Sequence, residues 1–275
     1  TLQKENQQLA FEPPEYKHIL NLLGHSTIGG VFATNASGSR RIQVGAARDH
    51  LLGVRFIDGL GRVVKNGGRV MKNVTGYDLV KLIAGSWGTL GIITEVSFKV
   101  LPIAETQVTL QIASSEASIL TRAMNTPYDV SGTFYDVASG FAYIRIEGFD
   151  KSVKYRMQQL HKEFSDFEID IFDAEESKKF WSDVNKLAFL KNMQGDLWRI
   201  SVRPTDGMQI IKKLDPKASY LDWSGGLVWL RVEEGFNVRE KMQKMSGHAM
   251  CLSGTFNQFH PISTIEKTMS TSIRK

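Results

Sequence analysis

The sequence predicts an α+β protein of two domains, on three observations. Glycine is dense from Gly24 to Gly91 and sparse after it. Helical periodicity and amphipathic strands take over from about residue 106. From there the elements run twice through one order, β-α-β-β-α-β. The composition changes near Val100-Leu101-Pro102, where a strand meets a proline, so the domains are expected at 1–102 and 103–275.

In the first domain, Thr1-Leu2-Gln3-Lys4-Glu5-Asn6 reads as helix from within a domain rather than as a chain start. Strand and turn then dominate. Residues 53–58 and 62–65 flank Gly59-Leu60-Gly61 and predict a hairpin with a glycine-containing loop. Residues 77–84 predict a short helix ended by Gly85. Ile92, Thr94, Val96, Phe98 and Val100 alternate with Ile93, Glu95, Ser97 and Lys99, the period of a half-buried strand.

In the second domain a strand at 108–112 precedes a helix at 116–124, strands at 131–135 and 141–147, a helix at 153–164 and a strand at 167–172. A helix over 175–192 follows. The order then returns, with strand 197–202, helix 207–214, strands 219–223 and 227–233, helix 238–245 and strand 249–252. The third strands match locally, Tyr143-Ile144-Arg145-Ile146-Glu147 against Trp229-Leu230-Arg231-Val232-Glu233. Each half predicts a four-stranded antiparallel sheet with helices on one face, whose bare face must cover something else.

Composition excludes several classes. The 34 Lys and Arg against 29 Asp and Glu leave a net charge of +5, scattered rather than blocked, which is no nucleic-acid stripe. No apolar run approaches the roughly 20 residues of a membrane span. Cys251 is the only cysteine, so neither an internal disulfide nor a thiolate cluster is possible, and a reducing, cytoplasmic setting is expected. In the strand-like run Ala249-Met250-Cys251-Leu252 it reads as a buried structural thiol. The six histidines are dispersed and predict no metal site. Asn35-Ala36-Ser37 and Asn73-Val74-Thr75 match the glycosylation triplet by chance, for no secretory signal accompanies them.

No phosphate-loop lysine motif, G-x-G-x-x-G dinucleotide turn, H-E-x-x-H helix or G-x-S-x-G elbow is present. Three glycine-rich stretches appear instead, in the order 27–38 (Thr27-Ile28-Gly29-Gly30-Val31-Phe32-Ala33-Thr34-Asn35-Ala36-Ser37-Gly38), 70–79 (around Met71-Lys72-Asn73-Val74-Thr75-Gly76-Tyr77-Asp78) and 85–94 (Gly85-Ser86-Trp87-Gly88-Thr89-Leu90-Gly91 and onward). Small residues let a main chain approach a ligand closely, so that its N–H groups meet phosphate or ring oxygens. Taken singly, each stretch also serves as a tight turn between strands.

That ordered set, with Arg48-Asp49-His50-Leu51-Leu52-Gly53 between the first two stretches, resembles the FAD-binding domain of the vanillyl-alcohol-oxidase and p-cresol-methylhydroxylase (PCMH) family. Residues 71–78, and Asp222-Trp223-Ser224-Gly225-Gly226 followed by Trp229-Leu230, look most like its glycolate-oxidase E-subunit branch. The resemblance implies the second half of a PCMH-type FAD-binding domain followed by a cap of two βαββαβ, ferredoxin-like repeats. It also implies a further N-terminal subdomain and a short terminal segment, so the sequence is expected to be a fragment lacking both ends. The cofactor implied is FAD. Thr27, Ile28, Gly29, Gly30, Ala33, Asn35 and Gly38 would line the flavin and pyrophosphate. Trp87 and Gly88 would pass the ribose and diphosphate, with Trp87 where many relatives carry Glu. The main chain of Ile92 and Ile93 would meet the adenine.

A flavin oxidase of a 2-hydroxy acid needs an arginine for the carboxylate and a group to take one proton. Strand parity puts Tyr143 with Arg145, and Trp229 with Arg231, on the face opposite Ile144, Ile146, Leu230 and Val232. Arg145 and Arg231 are candidates for the carboxylate, with pairing to Glu147 and Glu233 as the alternative. His260 beside Pro261 is the candidate proton acceptor, or else an exposed loop histidine. By resemblance the chain is an FAD-binding subunit of a glycolate or D-lactate oxidoreductase complex. Its partners would be a sister flavin subunit and an iron–sulfur subunit, which could hold it at the membrane periphery. The alternative is a non-catalytic assembly subunit that keeps the flavin fold to dock a catalytic sister chain.

Overall fold

The structure is a computed structural model that describes residues 2–70, 76–242 and 245–256. It divides into two compact units, Thr1–Glu105 with Trp181–Leu187, and Thr106–Phe180 with Ala188–Lys275.

In the first unit a 3-10 turn (Leu2–Glu5) leads to β1 (Gln7–Gln8). The helices are α1 (Ile28–Thr34), α2 (Arg41–Val44) and α3 (Ala47–His50). Strands β2 (Leu51–Ile57) and β3 (Val63–Gly67), helix α4 (Leu79–Ile83), strand β4 (Ile92–Phe98) and the two-residue β5 (Leu101–Pro102) follow. Strands β3, β2 and β4 form one antiparallel sheet with β2 in the middle, and β1 pairs with β5. Phe11, Phe32, Leu51, Val54, Phe56, Val80 and Ile83 fill the core between the sheet and α1, α3 and α4.

Two expectations for this unit are corrected. The stretch 27–34 is helix rather than strand and turn, because its ends carry stop signals that outweigh two glycines. Thr27 caps the N-terminus, its Oγ1 accepting the Gly30 N–H at 3.1 Å, and Asn35 closes the helix with a left-handed φ of 51°. Strand β4 does not alternate strictly. Its ladder to β2 pairs Arg55 with Glu95 and Phe56 with Ile93, so Thr94 is an extra residue, a β-bulge. The bulge flips the parity, so Ile93 joins Val96 and Phe98 against the core while Ile92 is left 70% exposed.

In the second unit β6 (Thr106–Ala113), α5 (Ser118–Met124), β7 (Gly132–Asp136), β8 (Phe141–Gly148), α6 (Asp150–Glu163) and β9 (Ile169–Phe172) come first. Helix α7 (Ala174–Asn185) and a 3-10 turn (Ala188–Leu190) intervene. Leu187, with φ of 55°, breaks the single helix expected over 175–192. Next come β10 (Asp196–Ser201), α8 (Gly207–Leu214), β11 (Ala218–Asp222), β12 (Leu227–Val232), α9 (Val238–Lys241) and β13 (His248–Ser253).

These strands form one eight-stranded sheet in the order β13-β10-β12-β11-β7-β8-β6-β9, with every pair antiparallel. One face carries Leu110, Ile144, Ile146, Trp198, Ile200, Leu230 and Val232, packed on Leu120, Leu160, Ile210, Leu214 and Val238 of the helices. Cys251 is buried in that core, and burial pushes its thiol up from the usual range, as suits a structural residue. The opposite face gathers Phe134, Tyr143, Phe172 and Tyr220 with Phe180 and Phe189, Tyr143 stacking on Phe180 at 4.1 Å.

The bulge makes an opposed pair of expectations. Ile93→Ser should cost about 2 kcal/mol of stability, the range of a truncated core contact, while Ile92→Ser should stay within about 0.5 kcal/mol of wild type. Denaturant titration of the two variants distinguishes this from unbroken alternation, which predicts the reverse order.

Candidate functional site

The first unit draws separated stretches of sequence into one glycine-rich surface. The Trp87 N–H donates to the Ala33 carbonyl at 2.8 Å and the Gly85 N–H to the Phe32 carbonyl at 3.1 Å, which joins the third stretch to the end of α1. A Cβ on Gly29 would rest 3.7 Å from the Ile93 carbonyl, so α1 lies against β4. Asn35 Oδ1 accepts the Arg48 N–H at 2.8 Å and ties α1 to α3. Trp87 and Gly88 both take positive φ, 56° and 75°, in the turn that makes this junction.

Thr27, Ile28 and Gly30 are exposed on this surface, as are Gly88 and Ile92, while Gly29, Ala33, Asn35, Trp87 and Ile93 are half-buried. Gly38 differs. It is buried, its N–H donates to the Phe11 carbonyl at 2.8 Å, and a side chain there would collide with the Glu12 carbonyl. Its glycine is accounted for by close packing of its own backbone. Beside Thr27, Gly30 and Thr34 opens a hollow of about 370 Å³ lined by Tyr16, Leu20 and His25. His50 is buried in the unit, its Nε2 3.0 Å from the Val44 carbonyl and its ring 5.3 Å from Phe11.

A Cβ added at Gly88 would meet nothing within 4 Å, and one at Gly30 would meet only Thr27 Oγ1, at 3.2 Å. The main chain is therefore bare along this surface, able to receive a flat ring or a diphosphate at contact distance.

Two of the candidate catalytic residues, Arg145 and Arg231, belong to the second unit. Arg145 is 1% exposed; its Nε lies 3.3 Å from Glu147 Oε2 and donates to Ser131 Oγ at 3.1 Å. The same face carries Thr109, bonded to Ser177 at 2.7 Å, and Gln107 beside it. The alternative reading of the Arg145 spacing, pairing with Glu147, is the arrangement seen. Arg231 is 7% exposed and donates from Nη1 to the Gly195 carbonyl at 2.7 Å. Burial lowers its pKa, partly offset by the charge of Asp196. Glu233 pairs with Lys217 at 3.0 Å and not with Arg231. His260 lies outside the described residues. Among the described residues no group of His, Cys, Asp and Glu is placed to hold a metal ion.

The sequence did not single out Arg199. Its guanidinium carbon lies 4.9 Å from the Trp223 ring centre and 5.8 Å from that of Trp229, on the sheet face opposite the helices. The signal for it was parity, for Arg199 is a charged position of β10 flanked by apolar Trp198 and Ile200.

Comparison with known proteins identifies the class. The family model of the FAD binding domain matches residues 15–67, which hold α1 to α3 and the hairpin β2–β3. The chain belongs to the FAD-linked oxidoreductases with a PCMH-type FAD binding domain, and its cofactor is FAD, which the bare glycine surface fits. The glycolate oxidase subunit GlcE of Escherichia coli (strain K12) is 35% identical over 268 residues, 95% of this chain and 70% of that one. D-lactate dehydrogenase of Anaerostipes hadrus is 42% identical over 87 residues, 32% of this chain and 18% of that one. In fold, alkyldihydroxyacetonephosphate synthase superposes with a TM-score of 0.62 at 16% identity, over 90% of this chain and 56% of that one. Among the described residues no helix is long and apolar enough to cross a membrane.

The geometry gives Arg145 a structural signature. Arg145→Ala leaves Glu147 buried without its counter-charge and should cost about 3–5 kcal/mol. A variant that melts like wild type would return Arg145 to the list of substrate-binding candidates.

Proposed function

We propose that the chain is the FAD-binding and cap portion of a 2-hydroxy-acid oxidoreductase acting on glycolate or D-lactate. Residues 1–102 form the FAD-binding domain in this reading. Residues 103–275 form the cap, built of two βαββαβ repeats. The observation that carries it is the 35% identity to a glycolate oxidase subunit sustained over 95% of the chain. The hydroxy-acid class draws further support from the 42% match to a D-lactate dehydrogenase. When bound, FAD supplies the hydride acceptor for oxidation of the carbinol carbon.

The chain's own residues contribute binding and orientation. Thr27, Ile28, Gly29, Gly30 and Ala33 would present the main chain of α1 to the cofactor, with Asn35 and Gly38 bracing the far end of that helix. Trp87 and Gly88 would flank the ribose and diphosphate, and Ile92 and Ile93 the adenine. Arg145 and Arg231 would shape the sheet face of the cap, and His260 remains the proposed proton acceptor. The word subunit in the relative's name supports work in a complex. Its other members would be a sister flavin chain and an iron–sulfur chain that takes the electrons, since Cys251 alone cannot hold a cluster. The setting would be cytoplasmic, with any membrane contact made through those partners.

One observation favours a second reading, an assembly subunit that docks a catalytic sister chain. Arg145 and Arg231 both spend donors within the protein, on Glu147 and Ser131 and on Gly195. If neither reaches substrate, turnover belongs to the sister chain.

An anaerobic absorbance spectrum decides between them. Flavin bands that bleach when glycolate is added to this subunit alone establish catalysis here. Bands that bleach only in the presence of the sister chain assign the assembly role, and no flavin at all ends the flavoprotein reading. Gly30→Leu should release most of the flavin while keeping or raising stability by up to about 1 kcal/mol, because leucine is the better helix former. Full yellow colour in that variant would contradict the close backbone approach.

A further inference from the structure

The second glycine-rich stretch ends in Gly76-Tyr77-Asp78, and no cofactor role absorbs it. In the first unit these three residues line a hollow of about 170 Å³. Its lining includes none of the residues read above as holding the cofactor. One wall is main chain. Gly53 of β2 pairs with Gly67 of β3, and Gly67 takes a φ of 70° where a side chain would collide with the Leu52 carbonyl. Glycine there lets the two strands close on each other, which fixes that wall. Leu51, Leu52 and Val80 add an apolar lining.

Four charged side chains share the hollow: Asp49, Asp78, Lys81 and Lys99. Opposite charges in one hollow gain by pairing, yet among the described residues no ion pair joins any two of these four. Main chain holds them instead. Asp49 Oδ2 accepts the Ala46 N–H at 2.8 Å, and Asp78 Oδ1 accepts the Lys81 N–H at 3.0 Å. Lys81 Nζ donates to the Arg48 carbonyl at 2.5 Å and to the Leu51 carbonyl at 3.3 Å. Lys99 is anchored by its main-chain N–H, which donates to the His50 carbonyl at 2.8 Å. These bonds leave one N–H of the Lys81 ammonium, all three of Lys99 and the second oxygen of each carboxylate for a ligand. Both lysines are half-buried and both aspartates exposed, so the cations sit deeper than the carboxylates.

We propose that this hollow binds a small zwitterion, an α-amino acid of the size of glycine or alanine. Its carboxylate meets Lys81 and Lys99, and its ammonium meets Asp49 and Asp78 at the rim. Such a ligand answers both sets of charges at once, whereas a simple anion would face two carboxylates and a simple amine two ammonium groups. The volume equals that of about five or six waters at about 30 Å³ each, enough for such a molecule and too little for a nucleotide. The site is a binding site in its own right and does not rest on the hydroxy-acid reading.

Calorimetric titration of the full-length protein with glycine and with alanine tests the site. It is carried to millimolar concentration, because so small a ligand reaches roughly micromolar affinity at best. Acetate, which lacks the ammonium, and methylamine, which lacks the carboxylate, are the controls. The expected result is saturable binding of glycine or alanine, with a Kd at least about tenfold tighter than that of either control. Lys99→Gln should weaken glycine binding by a similar factor. Asp78→Asn keeps the helix cap and should weaken glycine without weakening acetate. Wild-type protein that binds neither amino acid overturns the proposal. So does acetate bound as tightly as glycine, which would make the hollow an anion site only, and so does an unchanged glycine Kd in both variants. The comparison among ligands uses wild-type protein alone, so a variant that fails to fold leaves the test intact.

Discussion

The second unit depends on one short ladder. Tyr220, Leu221 and Asp222 of β11 pair with Asp136, Tyr135 and Phe134 of β7, and these three pairs join two four-stranded sheets into one. Side chains alternate along a strand, so the register of this joint decides which residues of both halves share a face. With Leu221 opposite Tyr135, the apolar sides of the two halves merge into a single core under the helices. The same pairing brings Phe134, Tyr143 and Tyr220 together on the other side. A slip of one residue would turn half of that core outward.

The resulting face is neither apolar nor solvated. At one end it holds a buried ion pair, Arg145 with Glu147, with Ser131 bonded to the arginine and Thr109 bonded to Ser177 on the same face. Aromatic rings fill the middle, and Arg199 between Trp223 and Trp229 lies toward the other end. Burying charge is tolerated only where each group finds a partner. Arg145 meets a carboxylate, Arg231 donates to a main-chain carbonyl, and Arg199 lies against two indoles. In the first unit the equivalent organising contacts are main-chain bonds, Trp87 to Ala33 and Gly85 to Phe32, which turn scattered glycines into a surface.

Much of this was legible because secondary structure is encoded in short-range period. The strands and helices of the second unit follow the order read from alternation and 3.6-residue repeats, with ends shifted by a few residues. The misses have local causes. Helix α1 hid behind two glycines, although its cap Thr27 and its closing Asn35 are plain helix boundaries in retrospect. The bulge at Thr94 leaves no mark in composition, and it alone decides that Ile93 faces inward. Leu187 in a left-handed conformation ends a helix whose pattern ran on.

By itself the sequence determined the α+β class, the glycine-dense and glycine-poor halves and the PCMH-type flavin resemblance. Those properties rest on residue type and spacing along a chain. Tertiary structure alone decided that Trp181–Leu187 groups with the first unit. It also decided that Gly38 serves its own backbone, that Glu147 holds Arg145, and that two tryptophans hold Arg199. Each of those outcomes depends on which of several possible neighbours arrives first-hand in space, and short-range spacing carries no information about that choice.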